Sequence, residues 1–196
     1  MIPRLDILGV KPPDPVIYGN KAVGLWRLRQ CEVRIPPTVM VAAGLQPDWA
    51  DLAWIAEQLG SPAEFVVRSS SSKEDSASES LAGVFSSEVA ERSTLLAAVE
   101  RVREQAATSS VCRQGRHPIP VLIQPRLGGP GGVYLFDRQC GRDSLTLSAL
   151  GPSAVTSGTT TLSDQLPSHA REYQDALERC RNVARRLGSI DLELIL

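Results

Sequence analysis

The sequence is poor in residues that several common kinds of site require. Aromatic residues make up only 5% of the 196 residues, which argues against a surface that stacks nucleic-acid bases. The formal net charge is -1, so no overall field favours nucleic acid or an anionic membrane as a partner. No apolar run is long enough to span a bilayer, and the N-terminus has no apolar signal-peptide core. We therefore expect a cytoplasmic protein without a nucleic-acid or membrane partner.

Paired cysteines are also missing, because the four cysteines are scattered and none forms a CxxC motif. This spacing argues against a zinc site and against a disulfide framework. Free thiols in a reducing compartment are therefore expected. The four are Cys31, Cys112, Cys140 and Cys180.

Regular secondary-structure patterns are present along most of the chain. They predict helices near residues 20–29, 48–60, 93–104 and 168–187, and strands near residues 39–41, 65–67, 119–124, 132–136, 144–148 and 190–196. Residues 1–15 are predicted to form an extended arm, and the inner face of the second helix is predicted to carry Trp49, Leu52, Ala53, Ala56 and Leu59. The Gly-rich turn at residues 128–132 predicts that the strands on either side of it form an antiparallel pair. The length allows one large domain or two small lobes.

The stretch from Glu64 to Ser87 combines a buried strand with a polar loop. An apolar, β-branched run ends at Arg68 and is followed by many serines and by Gly83. An arginine, hydroxyl groups and close backbone amides are suited to holding a polyphosphate. The alternative is a flexible linker, because Ser-rich polar tracts are commonly disordered.

A lysine near the start of the first predicted helix is the second candidate. Asn20 is a good N-cap, which places Lys21 in the first turn, where a cation opposes the helix dipole. An anion bound at this end would compensate for that arrangement. The alternative is an exposed lysine whose stem lies along the helix.

The last predicted strand carries two carboxylates on one face. Alternation places Asp191 and Glu193 on one side of the strand and aliphatic residues on the other. Paired carboxylates are suited to an oxygen-ligated Mg²⁺. The alternative is a half-exposed edge strand with solvated acids.

Several ordered motifs together resemble the N-terminal ATP-binding domain of the pyruvate phosphate dikinase and phosphoenolpyruvate synthase family. The family motifs G-G-K-G-x-x-L, V-P-P-G-F, V-R-S-S-A-T-x-E-D, S-F-A-G, V-x-V-Q, G-V-x-F and D-I-E-W are similar to residues 19–25, 35–39, 67–75, 80–83, 121–124, 132–136 and 191–193, in that order. The resemblance covers nearly the whole chain, and the motif at 67–75 is the most specific.

The resemblance implies an α+β, ATP-grasp-like fold, in which two lobes with mainly antiparallel sheets and flanking helices hold ATP between them. The lobes would be residues 1–118 and 119–196. Carried over by motif, the site residues have three kinds of role. The phosphate-binding and catalytic cations would be Lys21 and Arg68, covered by the loop that contains Ser69, Ser70 and Gly83 and by Ser87. The adenine would lie near Gln124, and Mg²⁺ would be bound by Glu193 with Asp191.

The sequence also departs from the family pattern. The G-L-G-E motif corresponds to residues 149–153, ALGPS, which lack the ribose-binding glutamate. The 196 residues contain no strand with Q-x-R after residues 191–193 and no counterpart of the family's phosphohistidine and acceptor domains. Residues 168–170, SHA, resemble the phosphohistidine motif only faintly, and an exposed histidine at a helix start is the favoured interpretation.

These features predict an ATP-binding domain for ATP-dependent phosphoryl transfer that is incomplete as a lone catalyst. A second protein or a further domain would complete its site. The first alternative is a non-catalytic relative that acts as a protein-interaction or regulatory subunit. The other is a kinase for a small antibiotic-like molecule.

Overall fold

The computed structural model describes residues 5–71, 87–108, 119–152, 155, 168, 170–188 and 190–196. The chain divides into two compact units, Met1–Arg126 and Leu127–Leu196. Each unit combines helices with an antiparallel sheet, so the predicted α+β organisation is confirmed. No helix within the described ranges has both the length and the apolar character needed to cross a membrane.

The first unit contains a five-stranded sheet and three helices among its described residues. The sheet order is β1-β2-β5-β3-β4, and every neighbouring pair is antiparallel. The strands are β1 (Leu5–Ile7), β2 (Val39–Val41), β3 (Glu64–Ser69), β4 (Ser87–Glu91) and β5 (Val121–Pro125), and the helices are α1 (Pro15–Gln30), α2 (Trp49–Gln58) and α3 (Leu95–Thr108). The N-terminal segment, predicted to be an extended arm, therefore contributes an edge strand to this sheet.

Helices pack on both faces of this sheet. Phe65 and Val67 point towards α2 and α3 and belong to the larger core cluster. Met40 and Leu122 point the other way and pack with Tyr18 of α1. Alternation along each strand therefore assigns every second residue to the α1 side of the sheet.

Helix α2 begins and ends where its capping residues predict. The Asp48 side chain accepts hydrogen bonds from the backbone nitrogens of Ala50 and Asp51, forming a capping box, and Gly60 follows the helix with a positive φ. The prediction that Trp49 lies on the inner face of α2 is wrong, because Trp49 is 69% exposed. The buried stripe begins one turn later, at Leu52.

The second unit contains a three-stranded sheet with one long helix on it. The strands are β6 (Gly131–Asp137), β7 (Arg142–Ser148) and β8 (Ile190–Ile195), and the helix is α4 (Arg171–Leu187). The sheet order is β7-β6-β8, with antiparallel neighbours. Tyr134, Leu145 and Leu147 pack against α4 residues such as Ala176 and Cys180.

Strand β5 differs from the prediction in its partners. The sequence predicts that β5 pairs with the strand after the Gly-rich turn, but β5 lies between β2 and β3, whereas β6 belongs to the other sheet. That pairing prediction is wrong, because the turn connects two units rather than two hairpin strands. The predicted lobe boundary at 118/119 would separate β5 from the sheet in which it is central, whereas the units meet between Arg126 and Leu127.

An ion pair joins α4 to β7 in the second unit. Arg181 donates from Nε and Nη2 to the two carboxylate oxygens of Asp143, and the Tyr134 hydroxyl donates to the same carboxylate at 3.2 Å. The Arg181 hydrogen bond holds the pKa of Asp143 below its ordinary value. Burial, followed by the charge of Asp143, raises the pKa of Tyr134 to about 12.

Asp143→Asn is expected to weaken the acid dependence of the second unit's stability. Because the folded-state pKa of Asp143 is depressed, its ion pair stabilises above the unfolded-state pKa, and this stabilisation is lost as pH falls through the folded-state value. Amide hydrogen exchange of β6, β7 and β8, compared between about pH 6 and about pH 3, measures this loss. Asp175→Asn is the control, since Asp175 forms a longer, more exposed pair with Arg171. Equal acid sensitivity in wild type and Asp143→Asn would contradict the assignment.

Candidate functional site

The candidate site in the first unit begins where the end of β3 contacts α1. Helix α1 starts after Asp14, which caps it, and is interrupted at Gly19, whose φ of 77° and ψ of 170° are not helical. The predicted helix start at Asn20 therefore corresponds to the second segment of α1. A Cβ atom on Gly19 would lie 1.6 Å from the carbonyl oxygen of Ser70, so only glycine allows this approach.

Hydrogen bonds connect the two elements on both sides of this interruption. The Ser70 hydroxyl donates to the Tyr18 carbonyl at 2.7 Å and accepts from the Ala22 nitrogen at 3.3 Å. The Asn20 nitrogen donates to the Ser71 carbonyl at 3.2 Å. The segment after β3 thus satisfies backbone N–H groups in the first turn of a helix segment, where no intrahelical partner exists.

Lys21 contacts the end of β3 directly. Its ammonium nitrogen donates to the Ser69 carbonyl oxygen at 2.9 Å. This carbonyl belongs to the residue immediately after Arg68. Lys21 and Arg68 are 47 positions apart in the sequence (68 - 21 = 47). The fold therefore brings these two cations to the same end of β3.

The α1-facing side of β3, β4 and β5 carries the other predicted site residues. Arg68 lies opposite Ser87 in β4, and Val66 lies opposite both Gln124 in β5 and Val89 in β4. Side chains directly opposite each other in antiparallel strands share one face, with Cβ atoms about 5 Å apart. We call this surface, with Lys21 at its end, the cationic face.

The cationic face combines buried and exposed groups. The Nε atom of Arg68 is buried, whereas Ser87 is exposed and Val89 is 46% exposed. Gln124 is buried, and its amide nitrogen donates to the Thr38 hydroxyl at 2.9 Å. No sequence pattern points to Thr38, because its contact with Gln124 depends on the pairing of β2 with β5.

The two serines after Arg68 have different surroundings. Alternation directs the Ser69 side chain to the α2 and α3 side, and its hydroxyl is buried without a hydrogen-bond partner among the described residues. Ser70 is fully buried, and its hydroxyl donates to one backbone atom of α1 and accepts from another. Phosphate binding by either serine stays a prediction. Gly83 lies outside the described residues.

The predicted metal ligands belong to the second unit. Glu193 is exposed on β8, opposite Val133, and the aliphatic residues Ile190, Leu192 and Leu194 pack on the α4 side, as their alternation predicts. The backbone of Asp191 is part of the same strand, whereas its side chain lies outside the described structure. Within the described residues, no group of three or more His, Cys, Asp or Glu could hold a metal ion. The Mg²⁺ role stays a prediction.

Comparisons with known proteins give a match in structure only. No protein family matches the chain, and no curated protein matches its sequence. The chain is similar to the crystal structure of D-alanyl-alanine synthetase A from Vibrio cholerae, with a TM-score of 0.50 and 9% identity. The match covers 91% of this chain and 51% of that one, so the chain spans about half of the neighbour's length. This likeness shows that the chain has an α+β, ATP-grasp fold.

Proposed function

We propose that this chain binds ATP on the cationic face and serves ATP-dependent phosphoryl transfer, as in the pyruvate phosphate dikinase and phosphoenolpyruvate synthase family that it resembles. One observation carries the proposal. The Lys21 ammonium contacts the residue that follows Arg68, on the face where Arg68 lies opposite Ser87. The ATP-grasp fold of the chain supports it.

The chemistry of these residues is suited to a nucleotide triphosphate. Phosphoryl transfer spreads negative charge over the phosphate oxygens, so positioned cations contribute more than a covalent catalyst would. Lys21 supplies a compact ammonium charge, and Arg68 supplies a planar fork of donors. The exposed hydroxyl of Ser87 adds a neutral donor beside Arg68.

The middle of the cationic face is suited to the less polar part of the nucleotide. Val66 and the half-exposed Val89 form apolar surface next to Gln124. A nucleobase needs apolar contact together with a few fixed polar groups. Gln124 donates to Thr38 through its amide nitrogen, and this bond fixes the orientation of its amide.

The proposed metal site involves Glu193, with Asp191 on the same strand. Mg²⁺ commonly binds one or two carboxylates together with substrate phosphates, and when bound it neutralises charge on the phosphate oxygens. Glu193 is exposed on β8. A further domain or a second protein is proposed to contribute the remaining ligands and the acceptor site.

An ATP-dependent synthetase is the second candidate function. The observation that favours it is the structural likeness to D-alanyl-alanine synthetase A, which covers most of this chain. Both candidates use the same ATP site and differ in the acceptor. Consumption of ATP, measured with pyruvate or with D-alanine as acceptor and with the product analysed, separates them, because phosphoryl transfer leaves the phosphate on the product whereas a synthetase releases it.

Arg68→Ala is expected to reduce the stabilisation of the chain by ATP by about half or more. A ligand at a hundredfold excess over its Kd stabilises a protein by about 3 kcal/mol, which is readily seen as a rise in Tm. Calorimetric titration and thermal unfolding with ATP and Mg²⁺ measure the effect. Arg68→Ala should bind at least about tenfold more weakly, because the phosphates lose a charged hydrogen-bond partner.

Arg126→Ala is the matched control for this experiment. Arg126 follows β5 of the same sheet, and it pairs with Glu64 at the opposite end of β3 at 2.8 Å. Its removal changes net charge equally and should leave ATP affinity unchanged. If ATP at millimolar concentration neither binds nor stabilises the wild-type chain, the proposed function is wrong, and the non-catalytic partner-binding alternative is favoured.

A further inference from the structure

We propose that Ser70 is a positioning residue for Lys21 rather than a ligand of the nucleotide. This inference rests on the proposed function and gives one residue of the Ser-rich segment a different role. Ser70 connects both segments of α1 to the end of β3, and this connection fixes where the Lys21 ammonium stands relative to Arg68.

The burial and bonding of Ser70 carry the first step. Its exposure is 0%, so no face of the side chain is open to a ligand from solvent. A serine hydroxyl has one proton to donate, and that proton is directed to the Tyr18 carbonyl at 2.7 Å. The oxygen accepts from the Ala22 nitrogen. Both bonds are made to backbone atoms of α1, on opposite sides of Gly19.

The backbone around Ser70 makes it a fixed point. The Ser70 nitrogen donates to the Pro120 carbonyl at 3.0 Å, which ties this residue to the segment leading into β5. The Gly19 backbone lies too close to the Ser70 carbonyl to admit any side chain. The backbone of Ser70 is thus fixed next to the start of β5, and the hydrogen bonds of its hydroxyl hold α1 at this point.

Lys21 lies between Tyr18 and Ala22, the two residues of α1 whose backbone atoms bond to the Ser70 hydroxyl. It follows Gly19 by two positions and precedes Ala22, whose nitrogen bonds to Ser70. Its ammonium donates to the Ser69 carbonyl at 2.9 Å. Fixing the lysine backbone beforehand reduces the ordering cost that a long side chain would otherwise impose on binding. Ser70 therefore supports ATP binding without touching ATP.

A double-mutant cycle with ATP and Mg²⁺ tests this inference. The full chain is compared as wild type, Ser70→Ala, Lys21→Met and the double variant, by calorimetric titration at a temperature where all four are folded. Ser70→Ala alone should weaken ATP binding by about tenfold. In the Lys21→Met background the same change should cost less than about twofold, because it acts through the missing ammonium.

A second variant separates positioning from simple loss of stability. Ser70→Cys keeps the branching of the side chain, with a somewhat larger terminal atom, but donates only weakly, and it replaces Ser70→Ala if the alanine variant does not fold. Ser70→Thr, which keeps the hydroxyl, should recover most of the wild-type affinity. A melting temperature that falls without a change in affinity would overturn the inference, as would an additive cycle, which means that Ser70 acts independently of Lys21.

The outcomes distinguish this inference from the proposed function. If the wild-type chain binds no ATP, the proposed function fails, and this inference fails with it. If wild type binds ATP and Arg68→Ala does not, but the Ser70 and Lys21 changes are additive, only the positioning role is wrong.

Discussion

Gly19→Ala is expected to unfold the first unit or to destabilise it by about 3–5 kcal/mol. The added Cβ would lie 1.6 Å from the Ser70 carbonyl oxygen, a backbone atom that cannot rotate away, and the positive φ adds strain. Denaturant unfolding followed by tryptophan fluorescence measures the loss. All three tryptophans, at positions 26, 49 and 54, belong to the first unit, so this signal reports that unit specifically.

Gly24→Ala is the matched control for this substitution. Gly24 lies in the same helix, and a Cβ atom there would have no neighbour within 4 Å. Alanine inside a helix is more stable than glycine by about 0.5–1 kcal/mol, so the control should unfold at equal or higher denaturant concentration. If both variants unfold like wild type, the close approach of α1 to the end of β3 is not present in solution.

Arg103→Met is expected to destabilise the first unit by about 3 kcal/mol. Arg103 donates from Nε to the Ile119 carbonyl at 3.0 Å, and from its terminal nitrogens to the Leu45 and Ala42 carbonyls. Methionine would occupy similar space but would leave these partly buried carbonyls without their charged donor. Burial lowers the pKa of Arg103, which agrees with a guanidinium largely removed from water.

Arg101→Met separates this effect from loss of charge on the same helix. Arg101 lies two positions earlier in α3 and pairs with Glu88 at an exposed site. Exposed ion pairs contribute little to stability, so Arg101→Met should unfold close to wild type. The same fluorescence signal serves for both variants. A loss as large for Arg101 as for Arg103 would show that net charge, rather than the carbonyl contacts, determines stability.

Local features of the fold could be predicted because the residues that cause them are adjacent in sequence. Asp48 and Gly60 mark the limits of α2, and Gly188 follows the last residue of α4. The predicted start of α4 at Ser168 is three residues early, since the helix begins at Arg171. The position of Trp49 was mispredicted because periodicity gives the direction of a side chain but not whether a neighbouring element covers that turn of the helix.

Non-local features could not be predicted from local patterns. The residues in and around β5 do not indicate that its partners are β2 and β3, which lie tens of residues earlier in the chain. The candidate site shows the same division. Lys21 and Arg68 can be identified as candidates from their residue types. That they lie close together depends on the contact between Gly19 and Ser70. Ser70 was assigned to phosphate by its position after Arg68, whereas its hydroxyl bonds depend on where α1 packs.

The central position of β5 has a consequence for how the protein is made. β5 is the last strand of the first unit to be synthesised, yet it lies in the middle of the sheet. Until residues 121–125 emerge, β2 can pair only with β1, and β3 only with β4. Each of these pairs then exposes an unpaired strand edge, which other chains can bind. We therefore expect the nascent chain to be prone to aggregation until β5 inserts and joins the two pairs into one sheet.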